Sequence, residues 1–109
     1  MKYEVEVSEQ ADHDLREIFE YIAFELQSPE NAIGQLNRLE EQILSLDAMP
    51  KRYRKYEKEP WKSRELHILP VDNYVILYIP NSDKKIVTIL RVMYAGRDID
   101  NQLNFHTKQ

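Results

Sequence analysis

The chain of 109 residues contains no cysteine and only two glycines. Without cysteine there is no disulfide framework, no thiol chemistry and no zinc-ribbon spacing. With two glycines there is no G-x-G-x-x-G and no P-loop to cradle a nucleotide phosphate, and no G-x-S-x-G either. No apolar run approaches the roughly 18 residues of a membrane span. The opening MKYEVEVSEQ alternates in polarity and lacks the apolar core of a signal peptide. His13, His67 and His106 lie far apart, and none has a second ligand three or four residues on, which argues against a metal site. These absences point to a soluble, cytoplasmic protein with no metal, no cofactor, no membrane contact and no small-molecule substrate.

What is present is ordinary globular material, 42% apolar and 31% charged, in a length that suits one domain with one core. The net charge of −4 is unevenly spread. Residues 1–50 carry three basic and twelve acidic side chains, a balance of −9, whereas residues 51–64 carry seven basic and two acidic, a balance of +5. This pattern excludes a protein that coats phosphate along its whole surface and allows one local basic patch.

Lys2–Val7 alternates as a short half-exposed strand, with Tyr3, Val5 and Val7 on one face. Ser8 is a good N-cap, and Ala11, Leu15, Ile18, Phe19, Ile22 and Leu26 recur at helical spacing to about Gln27. Ser28-Pro29 stops that helix and starts a second, to about Ala48, with Ala32, Ile33, Leu36, Leu39, Ile43 and Leu46 as its apolar stripe. Gly34 inside it suggests a close helix–helix approach. Lys51–Lys62 reads as a basic, aromatic-studded loop. Strands follow at Arg64–Leu69, Tyr74–Ile79 and Ile86–Tyr94, joined by turns at Pro70–Asn73 and Pro80–Asp83. The order β-α-α-β-β-β defines an α+β domain: an N-terminal helical hairpin on one face of a small, mostly antiparallel four-stranded sheet. A short helical turn around Ile99–Leu103 ends it, before a mobile tail over residues 104–109.

The Ile86 strand carries Arg91 in its middle, on a face shared with Ile89 and Met93. A charge there must reach the sheet rim or find a partner, a helix carboxylate for example. The acidic residues of the first helix read as its solvated face. In the basic loop, cations interleaved with Tyr53, Tyr56 and Trp61 match what single-stranded RNA contacts use. The same residues equally describe a solvated loop whose rings close over the sheet edge. Composition and pattern therefore leave the function open.

Two segments go further. RELHILPVDNYVILYIP and ILRVMYAGRD, with SEQADHDLREIFEYI near the start, resemble the RelE/ParE superfamily of type II toxin–antitoxin toxins, and ParE-type members most. The likeness spans residues 1–103, one toxin domain. ILRVMYAGRD is similar to the strand-and-turn pattern I-x-R-V-x-H-G-x-R-D, with Tyr94 where histidine is frequent. The resemblance implies a growth-inhibiting toxin held by a cognate antitoxin whose C-terminal segment folds onto the toxin. The acidic half of this chain implies a neutral-to-basic segment.

Members of the superfamily poison DNA gyrase, cut messenger RNA in the ribosome, or have no demonstrated activity. RelE-type ribonucleases rely on a cluster of lysines and arginines on the second and third strands; here Glu65, His67 and Val75 occupy the matching positions. The resemblance therefore implies binding to gyrase without catalysis, with Arg64, Arg91, Tyr94 and Arg97 shaping the contact surface and Tyr53, Tyr56 and Trp61 as anchors. The alternative is a ribosome-dependent endoribonuclease with His67 as acid or base and Arg91, Tyr94 and Arg97 at the phosphate. A third reading is a degenerate toxin that only binds or regulates.

Overall fold

The computed structural model describes residues 2–108. Strand β1 (Glu4–Val7) leads through the Ser8 cap into helix α1 (Glu9–Glu20). The Ser8 hydroxyl accepts from the Ala11 amide and donates to the Leu90 carbonyl, each at 3.0 Å, so one side chain caps the helix and ties it to the last strand. Tyr21–Glu25 widens into a π-helical turn, and Gln27, in the left-handed region at φ 51°, reverses the chain. Helix α2 (Pro29–Leu44) starts on Pro29, although Ser28 makes no side-chain cap. Its buried stripe is Ala32, Gln35, Leu39 and Ile43. Ile33, expected on that stripe, is 53% exposed. Gly34 answers no close helix–helix approach: a Cβ there would meet only Nη1 of Arg38, at 3.3 Å.

Two 3-10 turns (Ser45–Asp47 and Pro50–Arg52) carry the chain to the basic loop. The first meander strand starts later than its hydrophobicity suggests. Strand β2 runs His67–Val71, and Arg64 and Glu65 lie in the preceding turn, with Glu65 left-handed at φ 63°. A two-residue turn, Asp72-Asn73, joins β2 to β3 (Tyr74–Asn81). Pro80, expected in the next turn, pairs with Val87 inside the ladder. It is tolerated because β2 pairs with β3 only as far as Tyr78, leaving that stretch of β3 as an edge. Strand β4 (Ile86–Tyr94) ends the meander, and helix α3 runs Ile99–His106.

The sheet order is β1-β4-β3-β2, antiparallel except where β1 lies parallel to β4. The helical hairpin sends the chain from one edge of the sheet to the other, and the meander walks it back to β1. Both sheet faces are covered. On the hairpin side Ala11, Leu15, Leu39, Ile43 and Leu46 pack against Leu69, Ile76, Tyr78, Val87, Ile89 and Val92. On the other face Trp61 and Leu66 from the loop and Leu103 from α3 cover Ile68, Val75, Leu77, Leu90 and Met93. Of the tail expected to be mobile, Asn104–His106 are helical and the Lys108 amide donates to Gln10 at 2.8 Å, while Gln109 lies outside the described residues.

Candidate functional site

Strand β4 changes character beyond Ile89. Leu77 of β3 faces Arg91, but the next residue, Tyr78, faces Ile89, so Leu90 is an extra residue on β4. Such a bulge bends its strand and re-aims the side chains that follow. The expectation that Arg91 shares a face with both Ile89 and Met93 is corrected by it, because Ile89 packs under the hairpin and Met93 on the opposite side.

Arg91, 4% exposed, is turned to the edge of the sheet, where it meets Asp14 of α1. Its Nε and Nη2 donate to the two carboxylate oxygens at 2.7 and 3.0 Å. Its Nη1 donates to the His106 carbonyl and the Thr107 hydroxyl, both at 3.0 Å. Asp14 also accepts from the Val92 amide at 3.0 Å. A bidentate, fully hydrogen-bonded pair is the arrangement in which buried charges are tolerated. Arg91 thus bolts α1, β4 and the end of α3 together and lies behind the surface as one of its supports. Asp14, read from sequence as part of a solvated helix face, is the residue that reading missed. It sits three after Ala11 and four before Ile18, on the buried stripe, and that spacing was the available signal.

After β4 the chain turns through Ala95-Gly96, with the Arg97 amide donating to the Tyr94 carbonyl at 3.0 Å. Tyr94 is 54% exposed and stands edge-on to Tyr74, with ring centroids 6.0 Å apart. It folds back over Gly96, where any Cβ would collide with the ring. Arg97 is exposed, and Asp98 turns away to cap α3, accepting from the Asn101 amide at 3.2 Å.

Two depressions meet at this turn. A groove of about 590 Å³ separates α1 and the π-helical turn from the end of β4; Ile18, Tyr21, Leu26, Tyr74 and Tyr94 form its walls, with Glu17 and Arg97 beside them. A shallower cleft of about 370 Å³ lies between the basic loop and α3, lined by Arg54, Tyr56, Lys58 and Arg97 together with Glu57, Asp98 and Asp100. Arg97 borders both.

Much of the basic loop is committed to the fold. Arg52 donates to the Ala48 and Met49 carbonyls that end the second helical segment and lies 4.7 Å over the half-buried Tyr53 ring. Lys55 pairs with Glu65 at 2.7 Å. Lys58 and the Tyr56 hydroxyl both bond Asp100 at the start of α3. The Tyr56 phenol is pushed up, by burial first and then by Asp100, so it stays protonated. Trp61 is only 2% exposed, its Nε1 donating to Asn104 at 2.9 Å; it is a core residue, and its ring is not available as a surface anchor. Arg64 is exposed and sits 5.1 Å over that ring.

His67, a candidate acid or base, is 1% exposed, with Nδ1 2.8 Å from the Glu65 carbonyl and its ring 5.5 Å from Tyr78. That is a packing environment which substrate cannot reach. The structure therefore brings Tyr94 and Arg97 together on the surface. It withdraws His67, Arg91 and Trp61 inside, and leaves Arg64, Tyr53 and Tyr56 along the loop. Among the described residues, no group of three or more histidines and carboxylates is placed to hold a metal ion.

The arrangement of a helical hairpin on a four-stranded sheet is shared with solved structures. The chromosomal ParDE system of P. aeruginosa contains a chain that superposes with a TM-score of 0.71 at 18% identity, covering 85% of this chain and 96% of that one. The toxin–antitoxin complex RelBE2 from Mycobacterium tuberculosis gives 0.64 at 21% identity, covering 86% and 99%. A mutant of the E. coli toxin RelE in the free state gives 0.63 at 15%, covering 91% and 90%. At these identities the likeness is one of fold. No curated protein matches the chain. The profile of the ParE toxin of type II toxin–antitoxin systems, parDE, matches residues 5–99. The chain belongs to that family.

Proposed function

We propose that this ParE-family toxin arrests growth by binding DNA gyrase, catalyses no reaction itself, and is neutralised by a cognate antitoxin. The observation that carries the reading is the commitment of its ribonuclease candidates: His67 is sealed in the core and Arg91 is consumed by Asp14 and the α3 terminus. Tyr94 and Arg97 remain as an exposed aromatic and cation on one turn, the residue types that dominate binding interfaces. Arg64, exposed over the Trp61 ring, is a candidate contact on the loop. Solved relatives include toxin–antitoxin complexes, which supports an antitoxin partner here.

A second reading rests on the cleft beside α3. Arg54, Lys58 and Arg97 there supply cations suited to a messenger RNA phosphate, though Lys58 is engaged by Asp100 and three carboxylates line the same cleft. Induction in growing cells, followed by primer extension and by supercoiling assays with purified gyrase, separates the two. Uncut transcripts with inhibited supercoiling, lost in Arg97→Ala, are the expected result. Cuts in step with codons would overturn it in favour of the ribonuclease, and normal growth with neither effect would mark a degenerate toxin.

A further inference from the structure

We propose that the corner where helix α2 ends is a self-complementary surface on which a second copy of this chain docks about a two-fold axis. The corner lies far from the Tyr94 turn, so the inference stands whichever target the toxin holds. Asp47 accepts from the Tyr3 amide at 2.7 Å, and the next residue, Glu4, pairs with Ile86 at the start of β4. Tyr94 ends that nine-residue strand, roughly 25 Å away.

Met49 is held in the left-handed region, at φ 48° and ψ 55°, a conformation that costs any residue with a side chain and suits glycine. Its side chain offsets none of that cost by packing, being 73% exposed. The backbone is fixed from behind instead. Arg52 donates to the Ala48 and Met49 carbonyls, and the buried Tyr78 hydroxyl donates to the Pro50 carbonyl at 2.6 Å. Leu44, the last residue of α2, is 66% exposed, and Ala48, four positions on, is exposed as well. Strain that the fold does not use for its own packing points to a contact made outside the chain. Methionine suits such a contact, because its unbranched thioether adapts to the surface it meets.

The charges choose the occupant. Glu40 and Glu41 are exposed one helical turn before Leu44. Lys51 and Arg52 are exposed just past Met49, and Arg52 reaches back to the Ser45 hydroxyl at 3.3 Å, so cations border the apolar pair as the carboxylates do. The chain thus runs from acid through apolar to base across the corner. A two-fold axis through Leu44 and Met49 sets the acids of each copy against the bases of the other, twice over, and buries the apolar pair against itself. A partner bearing one sign of charge would be repelled by half of the patch. The Tyr94–Arg97 turns lie at the far ends of such a dimer, one on each copy.

The test is sedimentation equilibrium of the full chain, purified free of antitoxin, over about 5 to 500 µM. A reversible monomer–dimer equilibrium with a Kd of about 10–100 µM is expected for so small a patch. Met49→Gly should weaken it about tenfold while raising the melting temperature, so that lost folding cannot account for the change. The double variant Glu40→Lys, Glu41→Lys and the single variant Lys51→Glu should each self-associate about tenfold more weakly than the parent, and a mixture of the two should form a mixed dimer. A chain that stays monomeric over the whole range would overturn the proposal. So would assemblies that grow past the dimer, since a two-fold contact closes on itself, or a dimer indifferent to Met49→Gly and to both charge variants.

Discussion

Arg91 and Asp14, separated by 77 positions, share two hydrogen bonds of 2.7 and 3.0 Å at the one place where helix α1, strand β4 and the end of helix α3 converge. The pair is buried and every polar atom in it is engaged, so its removal has consequences of a known kind. Asp14→Leu alone strands a buried guanidinium and should cost about 3–5 kcal/mol. Adding Arg91→Met should recover part of that loss, since no charge is then buried unpaired, although the Val92 amide and the His106 carbonyl lose their partners. Urea denaturation of the two singles and the double measures the coupling. Near-additive losses would mean that the pair is more solvated than its 5% and 9% side-chain exposures imply.

Glycine is scarce and sits where it is not needed for backbone freedom. Neither Gly34 nor Gly96 has positive φ, while Gln27, Met49, Glu65, Asp72 and Lys85 do. Gly34→Ala should stabilise the chain by roughly 0.5–1 kcal/mol, since only the flexible end of Arg38 must move. Met49→Gly should also stabilise it, by about 0.5 kcal/mol, because left-handed backbone costs a side-chain-bearing residue about 1–2 kcal/mol and that side chain is 73% exposed. Thermal melts of both variants check this.

Gly96 is constrained by something other than backbone conformation, the ring of Tyr94 lying over it. Gly96→Ala should leave the fold intact and swing Tyr94 away from Tyr74. The ring-proton shifts of both tyrosines would report the movement. Inhibition of gyrase supercoiling should fall severalfold, and unchanged inhibition would place Tyr94 outside the contact.

Asp100 holds Lys58 and Tyr56, and the Lys58 hydrogen bond, then that from Tyr56, draws its carboxyl below the ordinary value of about 3.9. A carboxylate with a lowered folded-state pKa contributes stability above its unfolded pKa and loses it as pH falls through the folded one. Acid denaturation below about pH 4 should therefore include the release of α3 from the loop. Asp100→Asn should flatten that limb while leaving the neutral-pH fold in place. Stability titrations of the variant and the parent between about pH 2 and 6 decide the point.

Local periodicity was a sound guide wherever one element faces one core. The strand at Glu4–Val7, the cap at Ser8, the Pro29 restart and the stripe of α1 through Ala11, Leu15 and Ile22 have counterparts in the fold, whereas Leu26, expected on that stripe, lies past the π-helical turn and is 55% exposed. Ile33 was misplaced because two adjacent apolar residues cannot both lie on a narrow stripe, and the polar Gln35 took the buried place by bonding Asp72 at 3.0 Å. Trp61 was ambiguous in sequence, since a tryptophan in a polar loop suits a binding surface and a hydrophobic lid equally. Only the uncovered second face of the sheet made it a lid.

The sequence alone determined the α+β order, the superfamily, the charge asymmetry and the lack of any cysteine, because these follow from residue types and from spacings along the chain. The tertiary structure alone decided which candidate residues stay on the surface. The bulge at Leu90 arises from how β3 and β4 register, and it sends Arg91 to Asp14 and turns the Val92–Tyr94 edge toward the groove. Such choices depend on contacts between residues far apart in the chain, where burial and hydrogen-bond satisfaction outweigh local pattern.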